Sequence, residues 1–176
     1  TGLIRSFEGH TSGKIFGRHL PSGNGVVIAD GPRITVYDRQ GQVRHQLSEH
    51  EATITSLDVS EDGTLLLSTG EDQQVILWDL NTGIPRLKRQ LSDVASLVAL
   101  LPNETQSLIL RRDGQVRIWN IDESNTLEDL PEHETSIQIA GVDRQTERIV
   151  LSDEAGFITL RDATSLQVVN TFSVEE

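Results

Sequence analysis

The stretch QQVILWDLNTG, residues 73–83, joins a run of strand-forming side chains to a Trp-Asp pair and then to a tight Asn-Thr-Gly turn. The same pattern recurs three times in the chain, as RITVYD ending at Asp38, QVRIWN ending at Asn120 and FITLRD ending at Asp162. With Asp79 included, the four ends are spaced by 41, 41 and 42 residues. This regular spacing predicts four copies of one structural unit.

Each of these runs has the alternation of a strand with one buried face, and each follows a turn rich in Asp and Gly. The four turns are ADGPR, GEDQQ, RRDGQ and DEAGF. Two strand-like segments precede every run and one follows it, with short turns between them. The predicted unit is therefore a four-stranded antiparallel meander, and no segment has the length and periodicity of a helix.

A second element stands near the start of most copies, 27 or 28 residues before the end pair. It reads Gly9-His10, Glu49-His50 and Glu132-His133, and the end pairs read Tyr37-Asp38, Trp78-Asp79, Trp119-Asn120 and Arg161-Asp162. On these residues the chain resembles the WD-repeat β-propeller family. The resemblance implies an all-β fold, a β-propeller built of four-stranded antiparallel blades, with four blades in this chain.

The resemblance also implies how the chain is divided. Residues 1–176 form a single propeller segment, with blades at about 10–47, 50–91, 92–130 and 133–173. Residues 3–8 match the outer strand of a preceding blade. Four blades are the lower limit for propellers, and this family commonly uses seven or more. We therefore expect a part of a seven- or eight-bladed propeller, with a homodimeric ring and a closed four-bladed monomer as the alternatives.

In this family a His, a strand Ser or Thr, a turn Asp and the Trp often form one hydrogen-bonded set. The second copy matches it fully, with His50, Ser68 or Thr69, Asp72 and Trp78. The other copies match in part, and the members they keep are His10, Asp113, Trp119 and His133. Tyr37 and Arg161 replace the Trp in the first and fourth copies, and Ala155 replaces the fourth Asp. We expect the second blade to be the most regular and the fourth the least, with Trp78 and Trp119 buried between adjacent blades.

Motifs of catalysis are missing from the sequence. Cysteine is absent, and no nucleophile elbow, phosphate-binding glycine loop or His-x-x-x-His pair occurs. His10, His50 and His133 have a sufficient structural role in the repeat. The chain is therefore predicted to be non-enzymatic, with no catalytic residue, no cofactor and no metal. The alternative is an enzyme with ionisable side chains converging at the mouth of the central channel.

The net charge of −12 argues against nucleic acid as a partner, and no apolar run is long enough to span a membrane. Residues 1–47 carry six Lys and Arg against three Asp and Glu, whereas residues 121–176 carry three against thirteen. The acidic part is either a set of solvated turns or a surface for a basic partner. Opposite charges at the two ends would also favour homo-oligomers that pair head to tail.

The resemblance implies a scaffold for protein–protein interactions inside the cell, in the cytoplasm. Its partners are other proteins or further blades of the same protein. The candidate contact residues are Arg111, Arg112, His19 and His45. Arginine is enriched at binding hot spots, although one of the two arginines is expected to be solvated and the other to pair with Asp113 or a neighbouring loop.

Overall fold

The computed structural model describes residues 15–121, 125–130 and 136–173. The chain divides into two compact units, residues 1–90 and 91–176. Each unit contains two four-stranded antiparallel sheets in which the strands pair in chain order. Residues 3–8, expected to form an outer strand, lie outside the described part of the chain.

The first unit holds the first and second blades. The strands of the first blade are β1 (Ile15–His19), β2 (Gly25–Asp30), β3 (Arg33–Asp38) and β4 (Val43–Leu47). Those of the second are β5 (Ile54–Val59), β6 (Leu65–Gly70), β7 (Gln74–Asp79) and β8 (Ile84–Gln90). A single 3-10 turn at Pro21–Gly23 is the one helical segment in the described residues.

The second unit holds the third and fourth blades. The strands of the third blade are β9 (Ala95–Leu100), β10 (Gln106–Arg111), β11 (Val116–Asn120) and β12 (Leu127–Asp129). Those of the fourth are β13 (Ile137–Asp143), β14 (Arg148–Asp153), β15 (Phe157–Asp162) and β16 (Val168–Ser173). No described helix is long and apolar enough to cross a membrane.

The four recurring runs of the sequence are the third strand of each blade. These strands end at Asp38, Asp79, Asn120 and Asp162, so the predicted strand ends are confirmed. The Asp side chains then form the following turn: Asp79 accepts the backbone N–H of Asn81 at 2.8 Å, and Asp162 accepts that of Ser165 at 2.8 Å. A carboxylate that captures backbone donors in this way favours a tight reversal of the chain.

One face of each sheet is buried against its neighbour within the unit. In the first unit, the first blade contributes an apolar face and the second blade covers it, and the two form one cluster. The first blade supplies Val27, Ala29, Ile34, Val36 and Leu47, and the second supplies Leu57, Leu66, Ile76 and Trp78 among others. Trp78 is 1% exposed, in agreement with its predicted burial between blades.

The second unit is built in the same way. Residues of the third blade, such as Leu108 and Ile118, form one cluster with Ile149 and Leu151 of the fourth. Backbone hydrogen bonds join the same two blades, because the N–H of Ile137 donates to the carbonyl of Gly114 at 3.0 Å. Alternation along the strands thus supplies the faces that hold each pair of blades together.

Candidate functional site

The second blade contains a complete hydrogen-bonded set. His50 is 5% exposed, and its Nδ1 lies 2.8 Å from Oδ2 of Asp72. Its Nε2 lies 2.8 Å from Oγ of Ser68, which also accepts the indole N–H of Trp78 at 2.8 Å. With the proton on Nδ1 of His50, every donor in this set meets one acceptor. The structure therefore brings together the four residues of the second copy, with Ser68 in the role of the strand hydroxyl.

Burial keeps the His50 imidazole neutral. The pKa of His50 is lowered from its ordinary value near 6.5 mainly because burial disfavours the charged ring, and the nearby Asp72 opposes this shift. Lys88 lowers the pKa slightly further. Asp72 is itself held by the backbone N–H groups of Glu51 at 2.9 Å and Gln74 at 3.1 Å. The set thereby ties the first residue of the blade to its β6–β7 turn and to its third strand.

Ser68, His50 and Asp72 also have the connectivity of a hydrolase triad, so their access to substrate decides what they can do. Ser68 is 0% exposed, and its oxygen already accepts the hydrogen bond from Trp78. A nucleophile must reach a substrate atom at a site with room for it. The geometry is therefore that of a structural set inside the blade.

In the third blade, Asp113 and Trp119 do not belong to one hydrogen-bonded set. Trp119 is 0% exposed, but its indole N–H donates to Oδ1 of Asn125 at 2.7 Å. Ile109 occupies the register position that Ser68 has in the second blade, so that position offers the indole no hydroxyl. Asp113 binds Arg111 at 2.7 Å instead. The prediction of a partial set containing both Asp113 and Trp119 is corrected accordingly.

In the fourth blade a buried arginine replaces the Trp. Arg161 is 1% exposed, and its Nη1 donates to the carbonyl of Leu166 at 2.8 Å. Asp153 takes over the turn that Ala155 cannot form, accepting the backbone N–H groups of Ala155 at 3.0 Å and Phe157 at 2.9 Å. His10 and His133, assigned to the repeat sets of the first and fourth copies, lie outside the described residues.

The two candidate arginines differ in their environments. The Arg111 side chain is only 13% exposed and binds Asp113 at 2.7 Å and the side chain of Gln115 at 2.8 Å. Arg111 is therefore corrected from a partner contact to an internal ion pair, because the turn places two acceptors around its guanidinium. Arg112 is exposed at the same strand end, where its backbone N–H donates to the carbonyl of Val94 at 3.0 Å.

The two candidate histidines also differ. His19 is exposed at the end of β1. His45 was predicted to lie at the surface, but it is half-buried in β4 because its ring stands against the turn of the next blade. A Cβ added to Gly83 would lie 2.6 Å from Nδ1 of His45. No group of three His, Asp or Glu side chains in the described residues is arranged to hold a metal ion.

Comparisons with known proteins agree with this architecture. The model of the family "WD domain, G-beta repeat" matches residues 41–79, which contain all four members of the second-blade set. The β-propeller domain of Myceliophteria thermophila Cps50 (Swd1) superposes with a TM-score of 0.83 at 22% sequence identity, and the match covers 99% of this chain and 58% of that one. This likeness shows the β-propeller fold. Residues 41–79 thus match a WD repeat, and the chain as a whole is similar to WD-repeat β-propellers.

Proteins of similar sequence have names that indicate different roles. Autophagy-related protein 16 of Arabidopsis thaliana is 25% identical over 173 residues, covering 96% of this chain and 34% of the relative. Target of rapamycin complex subunit LST8 of Mus musculus is 24% identical over 162 residues, covering 89% and 50%. RACK1 of Brassica napus, a small ribosomal subunit protein, is 29% identical over 89 residues, covering 51% and 27%. The chain thus spans about a third to a half of the first two relatives.

Proposed function

We propose that this WD-repeat chain is a non-catalytic scaffold for protein–protein interactions. The observation that carries the proposal is the burial of the Ser68–His50–Asp72 set, which holds a blade together and has no access to substrate. Rigid strands of this kind present short turns at both ends, and such turns are the usual places for partner contacts. Two relatives are named as a complex subunit and a ribosomal subunit protein, and these names support the same function.

The blades of the chain are proposed to belong to a larger propeller. The fourth sheet has an apolar face, made by Val150, Ile158, Leu160 and Phe172, that takes no part in the core of its unit. By register these residues correspond to Val27, Ile34, Val36 and Leu47 of the first sheet. Those four are at most 2% exposed under the second blade, whereas Phe172 is 43% exposed. Another blade covering this face would bury it in the same way.

The proposed total is seven or eight blades. Four blades of this chain match 58% of the solved Cps50 propeller domain, which supports a ring with several further blades. The proposed boundaries of the blades in this chain are residues 10–47, 50–91, 92–130 and 133–173. A ring of two copies of the chain is the alternative source of the missing blades.

Arg112 is proposed as a contact for an acidic side chain of a partner, and the acidic residues 121–176 are proposed to face a basic one. The supporting observation is that Arg112 is exposed at the end of β10, whereas Arg111 is half-buried there. The proposed location is inside the cell, in keeping with relatives named for the ribosome and for autophagy.

Quantitative affinity purification of the native full-length protein from its own cells tests the scaffold function. We expect protein partners to co-purify in fixed ratio, and Arg112→Glu to lower the recovery of at least one of them. Arg39→Glu, at an exposed turn of the first blade, is the matched control. A purified protein that binds no other protein yet turns over a small molecule would contradict the proposal.

A further inference from the structure

The outer strands of the two units carry opposite charge. The strands β4 and β8 contain Arg44, Arg86, Lys88 and Arg89 and no acidic residue. The corresponding strands β12 and β16 contain Glu128 and Asp129 and no basic residue. Each is the last strand of its sheet, so one of its edges has no neighbouring strand in the described residues. The rim of the first unit is therefore basic in a chain whose net charge is −12.

Two exposed apolar side chains lie on the same rim. Val43 begins β4 and is 52% exposed, and Ile84 begins β8 and is 62% exposed. His45 lies between them, because it follows Val43 by two residues in β4 and its ring stands against Gly83, the residue before Ile84. Arg44 and Arg86 flank the two apolar residues along their strands. We call Val43, Arg44, His45, Ile84 and Arg86 the rim patch.

The basic side chains of the rim patch remain available to a ligand. Among the described residues neither Arg44 nor Arg86 forms an ion pair, whereas Lys88 is bound to Glu49. Asp79 is the nearby carboxylate, and its pKa is lowered mainly by the backbone N–H of Thr82, with a smaller contribution from Arg86. The carboxylate of Asp79 already accepts the backbone N–H groups of Asn81 and Thr82. Its hydrogen bonding is therefore satisfied without the guanidinium of Arg86.

Charge on an edge strand often has a simpler explanation. Lys, Arg and Pro on an outer strand prevent sheets from pairing edge to edge, and β8 also has Pro85 and a bulge opposite Leu77 and Trp78 of β7. That role needs charge alone. It does not account for two β-branched side chains, Val43 and Ile84, that are more than half exposed near the arginines, since exposed apolar groups work against such protection.

We propose that the rim patch binds an extended acidic segment of a partner protein in which apolar side chains alternate with carboxylates. Val43 and Ile84 would contact the apolar side chains, and Arg44 and Arg86 would bind the carboxylates in the forked geometry of guanidinium–carboxylate pairs. A patch of exposed apolar groups flanked by arginine is the composition of a binding hot spot. This inference rests on the proposed scaffold function and names one class of partner.

Titration of the isotopically labelled 176-residue chain by NMR tests the rim patch. The probe is a short synthetic peptide that alternates Asp with Leu, and the comparison peptides replace Asp with Lys or Leu with Ser. We expect saturable shifts of the amides of residues 43–46, 84, 86 and 87 with the Asp-Leu peptide, and binding weaker by about tenfold or more with the other two. Equal binding of the Lys peptide, or shifts centred on other blades, would overturn the proposal.

Variants test whether the peptide binds the rim patch or any exposed apolar side chain. The pair Ile84→Ser with Arg86→Glu is expected to remove the titration, while Val169→Ser, on an outer strand and 52% exposed like Val43, leaves it unchanged. Amide shifts outside the patch report that both variants stay folded. Binding of oligothymidine at the patch, or concentration-dependent patch shifts in the chain alone, would show a different occupant and overturn the proposal.

The scaffold function and the rim patch fail in distinguishable ways. If the patch variants lose the peptide and also lose a partner in affinity purification, both proposals stand. If partners co-purify equally with and without the patch variants, the rim patch is wrong and the scaffold function remains. If no protein co-purifies at all, the scaffold function fails first.

Discussion

Ser68 is the residue on which the second-blade set depends. Its hydroxyl donates to Nε2 of His50 and accepts the indole N–H of Trp78. Ser68→Ala would leave Nε2 of His50 and the indole N–H of Trp78 without their partner. An unsatisfied buried polar group costs about 1–3 kcal/mol, so we expect the free energy of unfolding to fall by about that amount. Urea denaturation followed by tryptophan fluorescence measures it.

Ser107 offers a matched control for this prediction. It is also 0% exposed and lies in the second strand of its blade, but its hydroxyl has no hydrogen-bond partner. Ser107→Ala is therefore expected to change the stability little or to raise it slightly, since it removes an unsatisfied polar group. An equal loss in both variants would mean that side-chain volume, and not the hydrogen-bonded set, decides the result.

His50 also makes stability depend on pH. Its pKa is lowered in the folded state, so the unfolded chain binds more protons as the pH falls below about 6.5. Stability is therefore fully present above that value and decreases as the pH falls toward the lowered pKa. The carboxylates with lowered pKa values, such as Asp62 and Asp143, act only at more acidic pH, near and below their ordinary value of 3.8.

His50→Gln isolates this contribution. Urea denaturation is measured from about pH 8 to about pH 5, the range in which histidine titrates. Over this range we expect the free energy of unfolding to fall less in the variant than in the parent protein. The absolute stability of the variant at pH 8 should be lower, because the buried set is broken. A parent protein that gains stability on acidification would contradict the sign of the shift.

At the scale of the element, the hairpin of β2 and β3 depends on Gly25. Its φ is +147°, and a Cβ there would lie 1.9 Å from the carbonyl oxygen of Tyr37 on the neighbouring strand. Gly23, two residues earlier, also has positive φ, at +67°, but no atom lies within 4 Å of its added Cβ. Backbone strain therefore acts at both positions and steric overlap at only one.

We expect Gly25→Ala to destabilise the protein more than Gly23→Ala by about 1–3 kcal/mol, the usual cost of forcing extra atoms into a packed site. Thermal unfolding followed by circular dichroism compares the two variants. Equal melting temperatures would contradict this prediction. They would mean that β3 moves away from the added Cβ with no loss of stability.

At the scale of the whole molecule, the apolar face of the fourth sheet determines how the chain behaves alone. Ile139 and Phe172 are 66% and 43% exposed, and exposed apolar patches favour association. We expect the isolated 176-residue chain to associate as its concentration rises in analytical ultracentrifugation. Phe172→Asp should weaken this association, and Val43→Asp, on the rim of the first unit, is the control.

The outcome also separates the proposed assemblies. A discrete dimer that Phe172→Asp dissociates would support a ring of two copies, and open-ended association would support a face that further blades cover in the native protein. A stable monomer at high concentration, unaffected by either variant, would contradict the proposal that the fourth sheet requires a covering blade.

The sequence by itself determined the repeat, the four strands of each blade and the positions at which the third strands end. These features are local, because turn residues and apolar alternation act over a few neighbouring positions and recur with one period. The resemblance to the WD-repeat family implied the set of the second blade, and it left the hydroxyl open between Ser68 and Thr69.

Only the tertiary structure decided which partners the remaining polar side chains have. Trp119 turns to Asn125 because Ile109 stands where Ser68 does in the second blade, and this depends on cross-strand register. Arg111 is held by its own turn, and His45 is half-buried because the next blade approaches it at Gly83. Such contacts join residues across strands and blades, so spacing along one chain does not specify them.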